Sequence, residues 1–214
     1  MDFTQARVNM VKSQAVPNMV RDPALLQGLL RVPREDFATS AYREFAYSDL
    51  PIPLNDGGRR ALTPVQIGWL IQELQLSRGD RVLVIGAGSG YECAVLAGMG
   101  MTVFALESDA DLAARGQQLT DPEQVQWRVG PLADGWNEAG RFDGILLGGA
   151  VTSIPNRIVG QLQEDGVLVG IVGQVGEVTM RAVRVSGIPV RQETLFETVA
   201  SPLPGLGDDG SFRL

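Results

Sequence analysis

Short apolar runs rich in β-branched residues recur through the second half of the chain: "RVLVIGAG", "TVFALES", "VQWRVG", "FDGILLGG" and "GVLVGIVG". Each is too short for a helix and is bounded by glycine or charge, which predicts buried strands. The intervening residues 90–98, 110–119 and 156–162 are compatible with helices. Strands alternating with helices imply βαβ units and a doubly wound, mostly parallel sheet covered on both faces. The alternation then stops. "EVTMRAVRVS" and "VRQETLFETVA" are separated only by "GIP", which predicts an antiparallel hairpin closing the sheet edge. The later "SPLPGLGDDGS" reads as surface turns.

Ahead of the first strand the rhythm is helical. Phe3, Ala6, Val8, Met10 and Val11, then Leu25, Leu26, Leu29 and Leu30, predict two short helices around the breaker Pro17. Pro33, Pro51 and Pro53 make residues 31–55 an irregular, wrapping segment. Helix returns over 63–75. The organisation expected is one α/β domain over residues 1–214, with 1–62 an N-terminal helical cap and 63–214 the sheet core.

Composition narrows the chemistry. A chain of 214 residues that is 44% hydrophobic can bury a sizeable core. Its net charge of −7 argues against a nonspecific grip on nucleic-acid phosphates or an acidic membrane. Small-molecule or protein substrates fit better. There is no histidine and Cys93 is the only cysteine, which excludes a zinc site, a His-based triad and an internal disulfide. The opening "MDFTQARVNMVKSQ" lacks a basic stretch followed by an apolar one, and nothing later approaches a membrane span. A cytoplasmic protein is expected.

The chemistry concentrates in "VLVIGAGSGYE". Gly86, Ala87, Gly88, Ser89 and Gly90 follow a predicted strand and open a predicted helix, where backbone N–H groups can approach a ligand. Glu107 ends the next strand, placed to accept hydrogen bonds from ribose hydroxyls. The alternative is a tight strand-to-helix turn and a solvated strand end. A second focus is "LNDGGRRALTPVQ". Thr63, Pro64 and Gln66 form a capping-box pattern with Leu62 and Ile67 as its hydrophobic staple. Arg59 and Arg60 lie just ahead of that helix, either as solvated loop residues or as a fork for a carboxylate. Trp69 and Trp136 read as pocket walls or packing, Tyr91 as a neighbour of the loop, and Cys93 as a buried small hydrophobe. Gly148, Gly149 and Ala150 follow the fourth strand at the crevice edge.

"VLVIGAGSGYECAVLA" resembles motif I of class I S-adenosylmethionine-dependent methyltransferases, and in particular of protein-L-isoaspartate O-methyltransferases. "RVPREDF", "AYSDLPIPL", "FDGILLGGAVTSIP", "LQEDGVLVGIVG" and "LFETVASPL" are similar, in order, to further segments of that family. "MDFTQARVNMV" is similar to the opening of a divergent bacterial branch. The resemblance implies a Rossmann-like methyltransferase fold, S-adenosyl-L-methionine as methyl donor, and isoaspartyl carboxylates of damaged proteins or peptides as acceptors. By the same resemblance Gly86 to Gly90 and Glu107 hold the donor, and Leu132 stands where the family contacts adenine.

Three positions depart from the family pattern. Val84 replaces an acid, Pro131 and Leu132 replace the Asp and second Gly of a G-D-G turn, and Leu62 or Ala61 stands where the family places a serine. Arg59, Arg60 and Thr63 are the acceptor-side candidates that remain, and Asp134 could substitute for the missing acid through a loop shift. Other readings are a methyltransferase of this fold with a different acceptor and a degenerate relative that acts by binding. A nicotinamide-dependent oxidoreductase is disfavoured by the glycine spacing.

Overall fold

The computed structural model describes residues 1–174, 179–187 and 190–206. The apolar runs become strands β1 (Arg81–Ile85), β2 (Thr102–Glu107), β3 (Val125–Val129), β4 (Phe142–Val151) and β5 (Leu162–Val172). The last two expected strands are β6 (Met180–Ser186) and β7 (Arg191–Thr198). Among the described residues they form one seven-stranded sheet in the order β3-β2-β1-β4-β5-β6-β7. The first five strands pair in parallel. β6 and β7 add antiparallel at one edge, as the hairpin pattern predicts. Residues 177–178 of the expected hairpin, residues 188–189 of its turn, and the terminal turn residues from 207 lie outside the described residues.

Helices begin where the sequence supplies caps. Asp2 accepts from Gln5 N (3.0 Å) to start α1 (Phe3–Met10), and Asp22 accepts from Leu25 N (2.8 Å) to start α2 (Pro23–Arg31) with proline at its first position. α1 runs on as a π-helical turn, Val11–Ala15, that ends just before Pro17. The segment expected to be irregular carries one turn of α-helix, α3 (Arg34–Phe37), and a 3₁₀ stretch, Ser40–Phe45. α4 (Pro64–Glu73), α5 (Tyr91–Gly98) and α6 (Ala110–Leu119) follow.

The sheet has two apolar faces. Leu25, Leu29, Ile67, Leu70, Val95 and Leu96 pack with Val82, Val84, Val103 and Ala105 on one of them. Leu83, Ile85, Phe104, Leu106, Ile145 and Leu147 face the other way. That second face is thinner than a doubly wound reading predicts. The crossover from β3 to β4 holds only the 3₁₀ turns Leu132–Asp134 and Asn137–Ala139, and the expected helix over 156–162 is the single turn α7 (Asn156–Val159). Pro131, Gly135 and Gly140 break the first connection, and the early start of β5 at Leu162 cuts off the second. The chain's last described segment supplies the missing cover. It crosses back over β4, with Leu203 N donating to Ala150 O (2.8 Å) and Ala150 N to Ser201 O (2.8 Å). This brings Leu203 and Leu206 into the second core. Among the described residues no helix is long and apolar enough to cross a membrane.

Candidate functional site

The loop between β1 and α5 lies at the carboxyl end of the parallel strands, where ligands bind in open α/β sheets. Its conformation requires its glycines. Gly86, Gly88 and Gly90 have φ of +75°, +57° and +92°, a region that side chains with a Cβ rarely adopt. There is no room for side chains either: a β-carbon would come within 2.4 Å of Leu203 at Gly86, 2.9 Å of Leu54 at Gly88 and 2.8 Å of Trp127 at Gly90. Gly86 N and Ala87 N donate to Leu106 O (2.8 and 3.1 Å), locking the loop to the end of β2. Ser89 is buried, and its hydroxyl donates to Phe37 O (2.8 Å), so that side chain ties the loop to α3.

Glu107 closes β2 beside this loop and is 0% exposed. Its Oε1 accepts from Ser108 N (2.7 Å), Ser108 Oγ (3.2 Å) and Asp109 N (3.1 Å). Its Oε2 accepts from Gly88 N (2.7 Å) and Arg59 Nη2 (3.2 Å). Those five donors use the full accepting capacity of a carboxylate. The solvated strand end considered from sequence is therefore excluded.

Arg59 is the main correction. It is neither a solvated loop residue nor, in this conformation, open to an acceptor: it is 6% exposed and turned inward. Nη2 reaches both Glu107 and Gly86 O (3.2 Å), while the buried Nη1 has no partner. The loop that carries it is a small hairpin, closed by Leu54 N donating to Arg59 O (2.8 Å) and Ala61 N to Ile52 O (2.9 Å). Asn55 pins it from outside, accepting from Arg59 N (3.1 Å) and donating to Asp109 Oδ2 (2.7 Å). Asp109 also caps α6, and the Leu112 N–H it accepts there leads in holding its carboxyl below the usual range. Arg60 does stay exposed, with Nη1 donating to Pro51 O (3.0 Å).

Arg60, Arg34 and Glu92 are the charged walls of a small cleft between this hairpin, α3 and the glycine loop. Arg34 is 2% exposed; its guanidinium donates to Ala46 O (2.8 Å) and Leu62 O (2.7 Å) and lies 4.6 Å over the Tyr91 ring. Burial pushes the Glu92 carboxyl up, against the pull of Arg34 and Arg59. Burial likewise pushes the Tyr91 hydroxyl up to about 12, and that buried oxygen has no hydrogen-bond partner. Arg34 and Glu92 were not among the residues the sequence pointed to, although they lie in "RVPREDF" and "VLVIGAGSGYE". For Glu92 the available signal was a charge inside the otherwise apolar "GYECAVLAG"; Arg34 stands among the charges of "RVPREDF" and carried no such signal.

The remaining candidates fall elsewhere. Thr63 belongs to the helix and not to the cleft walls: Oγ1 accepts from Gln66 N (3.3 Å) and Gln66 Oε1 from Thr63 N (2.8 Å), a complete capping box. Its place among the acceptor-side residues is corrected accordingly. Leu62 and Ile67 are buried in one cluster, as a staple requires. Leu132 is 1% exposed and packs in the second core with Phe104 and Leu106. Asp134 is paired with Arg157 at the surface (3.1 Å). Trp69 packs on Phe196 and Trp136 on Phe104 (centroids 4.5 and 5.6 Å). Cys93 is fully buried and its thiol is pushed up by burial. Gly148 and Gly149 lie within β4 and not beyond it; a β-carbon at Gly148 would come 2.3 Å from Gly86 O.

A model of the family described as protein-L-isoaspartate(D-aspartate) O-methyltransferase matches residues 5–203. The chain is 41% identical over 181 residues to a protein-L-isoaspartate O-methyltransferase of Methylorubrum extorquens (strain PA1), covering 84% of this chain and 79% of that one. It is 34% identical to the protein of the same name from Syntrophotalea carbinolica, covering 96% of each. Among solved structures, a Plasmodium falciparum protein-L-isoaspartate O-methyltransferase in complex with S-adenosyl-L-homocysteine shares the fold, with a TM-score of 0.78 at 20% identity over 96% of this chain and 99% of that one.

Proposed function

Because the chain belongs to the protein-L-isoaspartate(D-aspartate) O-methyltransferase family, we propose that it methylates isoaspartyl carboxylates of damaged proteins or peptides with S-adenosylmethionine as donor. The observation that carries this reading is the pairing of a three-glycine cradle with a fully buried acid, Glu107, across the ends of β1 and β2. Both fit a nucleoside donor. The cradle brings backbone close to a ligand, and the acid suits ribose hydroxyls. The donor, when bound, supplies an electrophilic methyl carbon on a positively charged sulfur.

The chain's task is then to place an oxygen in line with that carbon and keep water away. An acceptor carboxylate is already ionised near neutral pH, so no side chain has to remove a proton. That accounts for a site without histidine. Leu62 or Ala61 stands where the family pattern has a serine, and neither offers a hydroxyl, so the acceptor must be held by other groups. We assign that role to Arg60, which stands exposed at the cleft with donors beyond the one given to Pro51; Arg59, its neighbour on the same hairpin, is turned inward onto Glu107. A guanidinium fork matches a carboxylate in geometry as well as charge.

An acidic chain suits protein or peptide acceptors over nucleic acid. A free, buried Cys93 accords with the reducing cytoplasm. The whole chain is read as one catalytic unit, with residues 1–62 as its cap. The test combines calorimetric titration with S-adenosylhomocysteine and transfer of labelled methyl to an isoaspartyl peptide beside its aspartyl counterpart. Binding and selective labelling of the isoaspartyl peptide are expected. Binding without labelling of that peptide would point to a different acceptor, and no heat at millimolar ligand would remove the donor site itself.

A further inference from the structure

We propose that Arg59 and the donor's ribose compete for the same carboxylate oxygen, Glu107 Oε2, so that donor binding releases Arg59 from the crevice toward the acceptor. The inference rests on the donor site just assigned and adds an order of events to it.

Three observations lead there. Glu107 already accepts five hydrogen bonds, so a ribose hydroxyl can join only if a present donor leaves. Gly88 N, Ser108 N, Ser108 Oγ and Asp109 N belong to the residues that build the cradle and the strand end. Arg59 alone arrives on a separate hairpin, by a long flexible side chain. Its hold is also incomplete: Nη1 is buried with no acceptor, an uncompensated cost that favours departure to a place where both nitrogens are used. The hairpin, finally, stands over the cradle. Leu54, next to the bond that closes it, occupies the space in front of Gly88, so movement that frees Arg59 uncovers the glycine loop. Once displaced, Arg59 stands beside Arg60 and both forks face the acceptor side. The acceptor anchor is thus complete only when the donor is in place.

The opposite arrangement, with Arg59 staying and using Nη1 to hold the donor, gives the opposite sign in one measurement. Calorimetry of the full chain with S-adenosylhomocysteine compares wild type with Arg59→Met, which keeps the volume and removes the charge. Competition predicts about tenfold tighter binding by the variant, the order of magnitude of one hydrogen bond to a charged group. Arg59→Gln serves where the methionine variant fails to fold, with the same expectation. Hydrogen exchange gives a second readout in wild type: S-adenosylhomocysteine, and adenosine alone, should speed exchange at the Leu54 and Ala61 amides that close the hairpin. Unchanged or weaker binding by the variants, or slower exchange at those amides, overturns the competition while leaving the donor site intact. Failure of wild type and variants alike to bind overturns the donor site and the competition with it.

Discussion

Replacing Glu107 by Gln tests whether that carboxylate organises the site. The amide must turn its NH₂ toward one of two groups of donors: Gly88 N and Arg59 Nη2, or Ser108 N, Ser108 Oγ and Asp109 N. Either orientation sets donor against donor, and Arg59 is left as a buried charge with only Gly86 O beside it. Removing one member of a buried ion pair costs about 3–5 kcal/mol. For a chain of this length each kcal/mol lowers Tm by about 2–4 °C, so the expected fall is about 6–20 °C. Arg59→Met should cost much less, under about 1.5 kcal/mol. Glu107 would keep four donors, and the unpartnered Nη1 would be gone. The double variant removes the stranded charge, so its loss should fall short of the sum by about 1–3 kcal/mol. Urea unfolding of all four proteins closes the cycle. Equal costs for the two single variants, or strict additivity, would refute the reasoning.

Other positions give separate checks. Thr63→Ala removes the cap and should cost about 1 kcal/mol, with Thr63→Ser restoring it and methyl transfer changed less than twofold by either; thermal melts and a transfer assay read this. Glu92→Gln addresses the carboxyl whose folded pKa burial raises. The folded state then holds the proton more tightly than the unfolded one, so stability falls as pH rises through and above the unfolded value of about 4.3 and stays lowered beyond. The variant should therefore melt higher than wild type at pH 7.5, with the gap closing toward pH 4, and parallel curves would exclude this. Gly116→Ala would bring a β-carbon 2.1 Å from the Trp127 ring. It should cost about 1–3 kcal/mol and shift tryptophan emission as the ring is displaced. Leu203→Ala, under the crevice against Gly86 and Gly149, should cost about 2–5 kcal/mol in urea unfolding.

What the sequence disclosed was what neighbours along the chain decide. The capping box is set within four residues, Thr63 to Gln66, and the structure contains it atom for atom. The strand, glycine turn, helix, strand and acid order is equally local, and β1, α5, β2 and Glu107 fall where it puts them. The Arg59–Glu107 pair joins residues 48 apart in sequence, and nothing in "GGRR" distinguishes an arginine that turns inward from one that stays wet. Burial of Arg34 against Tyr91 is hidden for the same reason. The second sheet face was misjudged because helix-compatible sequence over 156–162 loses to the register of β5, which claims Leu162 opposite Phe142. Leu203 covers that face from a turn-rich stretch that carries no periodic signal.

The outer edge of the hairpin bears on how the sheet meets other polypeptides. Among the described residues β7 is the last strand of the sheet, with no strand on its outer side. An open edge anneals readily to loose polypeptide. The family this chain belongs to is named for isoaspartyl residues of proteins, so polypeptide is what meets this surface. Along "RQETLFET", Arg191, Glu193 and Glu197 are exposed charges of both signs, and a register irregularity at Ala182/Val183 interrupts the pairing behind them. An incoming strand would have to bury those charges and follow an uneven ladder. The edge is thus a poor template for an added strand.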